Sequence, residues 1–303
     1  MNYDRRRFLA ASAAAIAASS VPCLSGQEID SDTQNTICVF TKPFNSLSFD
    51  ELAEKISQIG YDGIEAPIRR GGHIEPDKVA DELPKLVEAL AKRNLQITVM
   101  TSDINDADDP LTERVLRTAA TLGIKRYRMK YVQYSDDIGV ADQIANWHDQ
   151  FVDLAAMNHD FGITGLYQNH AGAKYMGAAI WDLDQVLDGI APSDIGMAYD
   201  IRHATVEGGT SWPTTLRMIR DHIDTVYVKD FVWEGRKMVN VPLGEGLVNP
   251  SFFKMLSDTD FSGPISLHEE YIDHKVPELV PQHLAAIKKD LATVKSMIKR
   301  GEQ

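Results

Sequence analysis

The chain has 303 residues, a formal net charge of −13, and 44% hydrophobic against 25% charged residues. That balance fits an ordinary globule of one large or two small domains. So acidic a chain lacks the cationic footprint that nucleic acid needs, and no basic patch marks a membrane surface.

Residues 1–26 stand apart. The stretch "DRRRFLAASAAAIAASSVPCLSG" has an Arg5-Arg6-Arg7 head, then Phe8-Leu9 and an Ala-rich run. This reads as an export signal of the twin-arginine type, too short for a membrane span, and predicts a periplasmic or exported protein. Its removal takes away Asp4 and three arginines, a net of +2, and shifts the charge from −13 to −15. Cys23 falls in this segment, and the Pro22 before it fits lipid attachment poorly. Cys38 is then alone, so the core and not a disulfide framework supplies stability.

Strand and helix patterns alternate through residues 27–303. Thr36–Phe40 is a first strand. Ser48 and Glu51 form a capping box, Leu52, Ile56 and Ile59 share one face, and Gly60 ends the helix. "YDGIEAP" is strand two, followed by a helix from Pro76 to Lys92, then "LQITVM", strand three. A helix over Leu111–Leu122 stops at Gly123 before "IKRYRMK", strand four. The helix through Ile144, Trp147, Phe151 and Leu154 closes at Gly162, before "ITGLYQN", strand five. "IWDLDQVLDGI" is helical, "IGMAYD" is strand six, "TTLRMIRDHI" is helical and "DTVYVKD" is strand seven. "PSFFKMLSD" is helical, "GPISLHEE" is strand eight, and Val280–Ile298 is the last helix. Eight strand–helix units predict an α/β fold, a (β/α)₈ barrel, and no Gly-rich phosphate turn supports a doubly wound sheet. Loops are expected at 67–75, 131–141, 170–178, 202–212 and 232–248, all after strands, on the face where barrel sites are built.

Side chains alternate along a strand. One parity collects Glu65, Arg128, Gln168 with His170, Asp200, Lys229, and His268 with Glu270. Buried without partners, each would cost several kcal/mol, so convergence on one polar pocket is predicted. Structural readings remain open at this point. Glu65 can be a surface acid, Lys229-Asp230 an ion pair, His203 a loop histidine, Arg69-Arg70 a solvated pair, and His73 with Glu75 a helix entry.

The segments "GYDGIE", "RRGGHIEPDKV", "YQNHAG", "YDIRHATVEGG", "VKDF", "PLGEG" and "ISLHEEY" together resemble the sugar phosphate isomerase/epimerase family, the xylose isomerase-like TIM barrels. The resemblance covers essentially all of residues 27–303 and implies a small-molecule carbohydrate partner. It also implies a divalent metal held by strand-end Glu, Asp, His and Glu. Asp200 matches the Asp, and His203 matches a substrate-touching His. Gln168 stands in place of the strand-five Glu and Tyr227 in place of the strand-seven His; His268 or Glu270 answers to the last Glu. Gln168, Asp200 and His268, with His170 as a fourth, form an N/O set for Zn²⁺, Mn²⁺ or Fe²⁺, weaker for Mg²⁺ because Gln168 is neutral. The alternative puts the Lys229 ammonium where the metal sits in relatives. Assembly into an oligomer is compatible with the sequence.

The resemblance implies proton abstraction alpha to a carbonyl through an enediolate. Glu270 is the expected base, with Glu65 or His170 as second acid/base. Lys229 or a metal at Asp200 would hold the oxyanion. His203, Arg69, His73, Arg128 and Asn169 would bind substrate. Two alternatives keep the barrel: a lyase that beta-eliminates from an oxidised glycoside, and a non-catalytic sugar-binding protein.

Overall fold

Short apolar strands and capped amphipathic helices alternate in a computed structural model that describes residues 35–259 and 261–301. The predicted signal at 1–26, with Cys23, lies outside the described residues. The strands are β1 (Ile37–Phe40), β2 (Gly63–Pro67), β3 (Gln96–Thr101), β4 (Arg126–Arg128), β5 (Thr164–Gln168), β6 (Ile195–Asp200) and β7 (Ile223–Val228). A hairpin of β8 (Asp230–Glu234) and β9 (Lys237–Val241) follows, and β10 (Ile265–Leu267) comes last. All except the hairpin strands form a closed parallel barrel in the order β1-β10-β7-β6-β5-β4-β3-β2. The helices are α1 (Phe49–Ile59), α2 (Val79–Ala91), α3 (Thr112–Thr121), α4 (Val140–Phe161), α5 (Trp181–Val186), α6 (Ile201–Gly208), α7 (Trp212–Ile219), α8 (Ser251–Ser257) and α9 (Val280–Gly301). None is long and apolar enough to cross a membrane.

Local chemistry fixes the boundaries. At the start of α1, Ser48 Oγ accepts the Glu51 N–H, while Glu51 Oε2 accepts the Ser48 N–H at 3.0 Å. Gly60 then ends the helix at φ +97°, a conformation that costs glycine little. Two expectations are corrected. The loop predicted over 202–212 is largely α6, because Asp200 caps it by accepting the His203 N–H at 3.1 Å. The loop predicted over 232–248 holds the β8–β9 hairpin, which turns at Gly235-Arg236 with Gly235 at φ +64°.

The core is split by the barrel wall. Outward-facing residues such as Val39, Ile64, Met100, Tyr127, Tyr167 and Tyr199 pack under the helices in the large cluster. Inside the barrel, Val99, Leu166, Ala198 and Tyr227 form a small separate cluster. Parallel register places Glu65 beside Phe40, Arg128 beside Thr101 and Asp200 beside Tyr227. The polar side chains therefore lie on the inward parity, at the strands' C-terminal ends. Cys38 is fully buried in the wall. Burial, with the Glu65 charge second, pushes its thiol up to about 12, so it is a packing residue.

Candidate active site

Two polar layers cap the apolar plug. The lower layer is built on Glu65, which is completely buried. Its Oε1 accepts from Thr101 Oγ1 at 2.5 Å and Tyr227 Oη at 3.1 Å. Its Oε2 accepts from Ser266 Oγ at 2.7 Å and His268 Nε2 at 2.8 Å. Burial alone would raise this carboxyl. The His268 imidazole, Arg128 and the hydroxyl donors outweigh it and bring the pKa down to about 2. Glu65 is thus a fixed anion with both oxygens engaged, which corrects its expected role as second acid/base.

The upper layer centres on Lys229. Its Nζ lies 3.2 Å from Asp200 Oδ2 and 3.1 Å from Glu270 Oε2. Burial would lower the ammonium pKa, but the two carboxylates more than compensate and raise it. Asp200 and Glu270 behave reciprocally. Burial works against ionisation, and Lys229 followed by His268 holds both carboxyls below their ordinary range. Asp200 Oδ2 also accepts from Gln168 Nε2 at 2.7 Å. The Oε1 of Gln168 receives Arg128 Nη1 at 2.7 Å and Tyr131 Oη at 2.5 Å. Glu270 is the open member, with its side chain 31% exposed.

His203 and His170 line the next part of the wall, their rings 4.1 Å apart between centroids. Nδ1 of His203 faces two N–H donors, the Ala171 main chain at 3.1 Å and Arg202 Nη1 at 3.0 Å. It therefore accepts, and the proton of the neutral ring sits on Nε2. That Nε2 points toward Asp200 Oδ2 from 3.6 Å. Burial, with Lys229 second, keeps His203 well below the usual histidine range and brings His170 down to about 4. His170 Nδ1 contacts the Ala171 carbonyl at 2.9 Å. A carbonyl only accepts, so Nδ1 carries the proton and the lone pair lies on Nε2.

Other predicted residues lie apart from this group. Asn169 has the opposite parity and is fully buried. Its Nδ2 donates to the Asp200 carbonyl at 3.0 Å and its Oδ1 accepts the Asp200 N–H at 2.7 Å. It clamps the Asp200 main chain, which corrects its expected substrate contact. His73 Nε2 lies 2.9 Å from Thr41 Oγ1, and burial takes its pKa to about 4. Arg69 lies at the rim, 5.8 Å over the Phe40 ring, and Arg128 approaches the same ring at 5.5 Å. The Lys229-Asp230 pair does not form. Asp230 turns away and accepts four main-chain N–H groups, from Phe231, Gly244, Gly246 and Val248.

The expected metal set is not assembled. His268 spends Nε2 on Glu65, Gln168 Oε1 is taken by two donors, and the Lys229 ammonium lies between the two nearest carboxylates. Among the described residues no three His, Cys, Asp or Glu side chains group as metal ligands. With both carboxylates engaged by a resident ammonium and only a neutral amide oxygen at Gln168, the donors are poorly arranged for a divalent cation.

Sequence reasoning missed Tyr131 and Arg202. Tyr131 hydrogen-bonds Gln168 and packs on His170; it lies beyond β4, where strand parity no longer applies. Arg202 reaches Asn240 Oδ1 of β9 at 2.7 Å, a contact that needs the unforeseen hairpin.

Four buried polar atoms in this region have no hydrogen-bond partner: Arg128 Nε, Arg202 Nε, His203 Nε2 and His268 Nδ1. Native interiors leave few such groups unpaired. Three of them lie near carboxylates of these layers, Arg128 Nε 4.0 Å from Glu65, His203 Nε2 3.6 Å from Asp200 and His268 Nδ1 3.9 Å from Glu270. With a free lone pair on His170, this polar group suits a ligand rich in hydroxyls.

Comparison with known proteins agrees with this architecture. No curated protein matches the sequence. Among solved structures, the IOLI protein with bound zinc superposes with a TM-score of 0.71 at 15% identity, covering 88% of this chain and 98% of that one. The 3-keto-D-glucoside 4-epimerase YcjR of E. coli gives 0.67 at 15% identity, covering 87% and 100%. The probable 3-DHS dehydratase AsbF of Bacillus anthracis gives 0.63 at 15% identity, covering 86% and 98%. At these identities the likeness concerns the fold. Residues 53–296 match the family described as xylose isomerase-like TIM barrel, and the chain belongs to that family.

Proposed function

We propose that the protein is an isomerase or epimerase of a sugar or sugar-like polyol. It would act by abstracting a proton alpha to a carbonyl. The observation that carries this reading is the Asp200–Lys229–Glu270 group beside unpartnered buried polar atoms of Arg128, Arg202, His203 and His268. The similarity in fold to a ketoglucoside epimerase supports it.

In this mechanism Glu270 is the base. It is ionised at neutral pH because Lys229 holds its proton affinity down. When a substrate carbonyl oxygen takes the Lys229 hydrogen bond, Glu270 loses part of that stabilisation and becomes more basic just where the C–H lies. The ammonium then faces the developing enediolate oxygen, and Asp200 keeps it charged and oriented. Glu270 returns the proton to the neighbouring carbon. His170, as the second acid/base, takes a substrate hydroxyl proton on its Nε2 lone pair and passes it to the enediolate oxygen, and His203 Nε2–H and the Arg128 guanidinium hold hydroxyls. No step requires a metal, in keeping with the donor set.

Solvent deuterium exchange into a ketose tests this reading. Glu270→Gln is expected to slow exchange by about 100-fold or more, and full exchange in that variant would remove Glu270 from its role. Chelator treatment is expected to leave exchange within about twofold. Loss of activity restored by one divalent ion would overturn the part given to Lys229.

The same carbanion expels a group from the beta carbon if one is present. Glu270, which takes the C–H proton beside Lys229, is then the acid that meets the leaving group. Product mass separates the readings: an epimer conserves it, and elimination releases an aglycone.

A further inference from the structure

A second feature lies beside the reaction centre. The loops after β1, β2 and β3, with the segment after β10, line an open cavity of about 460 Å³. Its lining includes Lys42, Arg69, Arg70, Lys275 and His274, with Asp103 as the acidic member. This is an unusual gathering in a chain of charge −13. Some cations elsewhere find carboxylates, as in Arg126–Asp224 at 2.7 Å, Lys174–Asp136 at 2.9 Å and Lys289–Glu245 at 2.6 Å. Among the described residues, the four cavity cations make no ion pair. Asp103 does not neutralise them by contact, since its Oδ2 accepts the Arg70 main-chain N–H at 2.8 Å.

The cavity is also built. The Gly72 N–H donates to the Arg69 carbonyl and the His73 N–H to the Pro67 carbonyl, both at 2.8 Å, closing a tight turn that presents Arg69 and Arg70. A Cβ on Gly72 would fall 2.3 Å from the Pro67 carbonyl oxygen, so the turn requires glycine there. Asn45 Nδ2 donates to the Gly71 carbonyl at 2.9 Å and ties the β1 loop to it. Lys42 and Arg69 both have depressed pKa values, from burial first. Glu270 acts against this at Lys42, and Arg69 and Arg128 are among the cations that add to the depression there. Four cations held together with no carboxylate in contact favour an arriving anion.

We propose that this cavity is an anion subsite that takes a phosphate or carboxylate group carried by the sugar-like substrate, an inference that rests on the carbohydrate reading above. Phe40 links the two regions. Arg69 and Arg128 lie over its ring, and the ring stacks on His268 at 4.8 Å. A substrate anchored by its charged end among the rim cations therefore extends its carbonyl toward Lys229 and Glu270. The volume exceeds that of one oxyanion and leaves room for part of the carbon chain.

Calorimetric titration of the full chain tests this with D-glucose, D-glucuronate, D-glucose 6-phosphate and inorganic phosphate. At least one anionic sugar is expected to bind about tenfold or more tightly than glucose, because charge-assisted hydrogen bonds replace neutral ones. Added salt is expected to reduce that preference. The preferred sugar distinguishes carboxylate from phosphate. In Arg70→Gln/Lys275→Gln the ratio of anionic to neutral affinity is expected to fall about fivefold or more. The ratio is internal to each protein and survives a general loss of folded material. Equal affinities in the parent protein, or a preference unchanged in the variant, overturn the subsite. The phosphate arm separates the two readings. Salt-sensitive phosphate binding that the double variant loses upholds the subsite even where no sugar exchanges deuterium. Exchange on a neutral ketose with no anion preference overturns the subsite alone.

Discussion

Lys229 holds two carboxylates at hydrogen-bond distance while only 5% exposed. Removing one partner of a buried ion group leaves uncompensated charge, which costs more than the pair itself contributes. Lys229→Met is therefore expected to destabilise the fold by about 3 kcal/mol at neutral pH and to abolish exchange. The loss of stability should shrink in acid, as Asp200 and Glu270 become protonated. Urea denaturation at two pH values checks this; an unchanged midpoint at neutral pH would show that the ammonium is not engaged. The members of this group were legible from parity, since Gln168, Asp200, Lys229 and Glu270 stand at corresponding inward positions. Glu65 shares that parity, but one strand cannot reveal that three other strands send Thr101, Tyr227, Ser266 and His268 to the same carboxylate. Asn169 is next to the inward-facing Gln168 in sequence but turns to the Asp200 main chain.

At the scale of elements, the turn after the β8–β9 hairpin is organised by one buried carboxylate. Asp230 Oδ1 accepts the Phe231 and Val248 N–H groups, and Oδ2 those of Gly244 and Gly246, at 2.9 to 3.0 Å. Gly246 is required by proximity: a Cβ there would fall 2.2 Å from Asp230 Oδ1. The "PLGEG" motif is thus a shell of amides around an anion. In Asp230→Asn one oxygen becomes an NH₂ that faces N–H donors, so a loss of about 2 kcal/mol is expected, measured by chemical denaturation. Because the hairpin carries Asn240 to Arg202, looser substrate binding should accompany it. Helices with strong apolar periodicity, such as α1 and α9, could be read directly. The hairpin and α6 could not, because their stabilising contacts are polar or come from distant segments. Asp200 as a helix cap and Gly235 as a hairpin turn were the available signals.

The molecule as a whole keeps several histidines neutral by burial. His73 and His170 are brought down to about 4, and His203 lies well below its ordinary range. The unfolded chain binds protons on these residues from near pH 6.5 downward, before the folded chain does. Stability therefore falls as pH drops through that window. Asp290 has the opposite sign. Burial raises its carboxyl to about 6, so the folded state binds its proton first and stability rises as pH falls from about 6 toward 4. Glu269, also raised by burial, acts in the same direction as Asp290. Three histidines outweigh two acids, so the unfolding free energy is expected to decline between about pH 6.5 and 5.5. His73→Asn should recover about 1 kcal/mol of that decline, and Asp290→Asn should stabilise the protein by about 1 kcal/mol above pH 6 and by little near pH 4. Urea titrations across this range read both effects. Since His73 and Asp290 share no hydrogen bond, the double variant should show the sum of the two changes. A pH profile that neither substitution alters would mean that these groups titrate alike in the folded and unfolded chains.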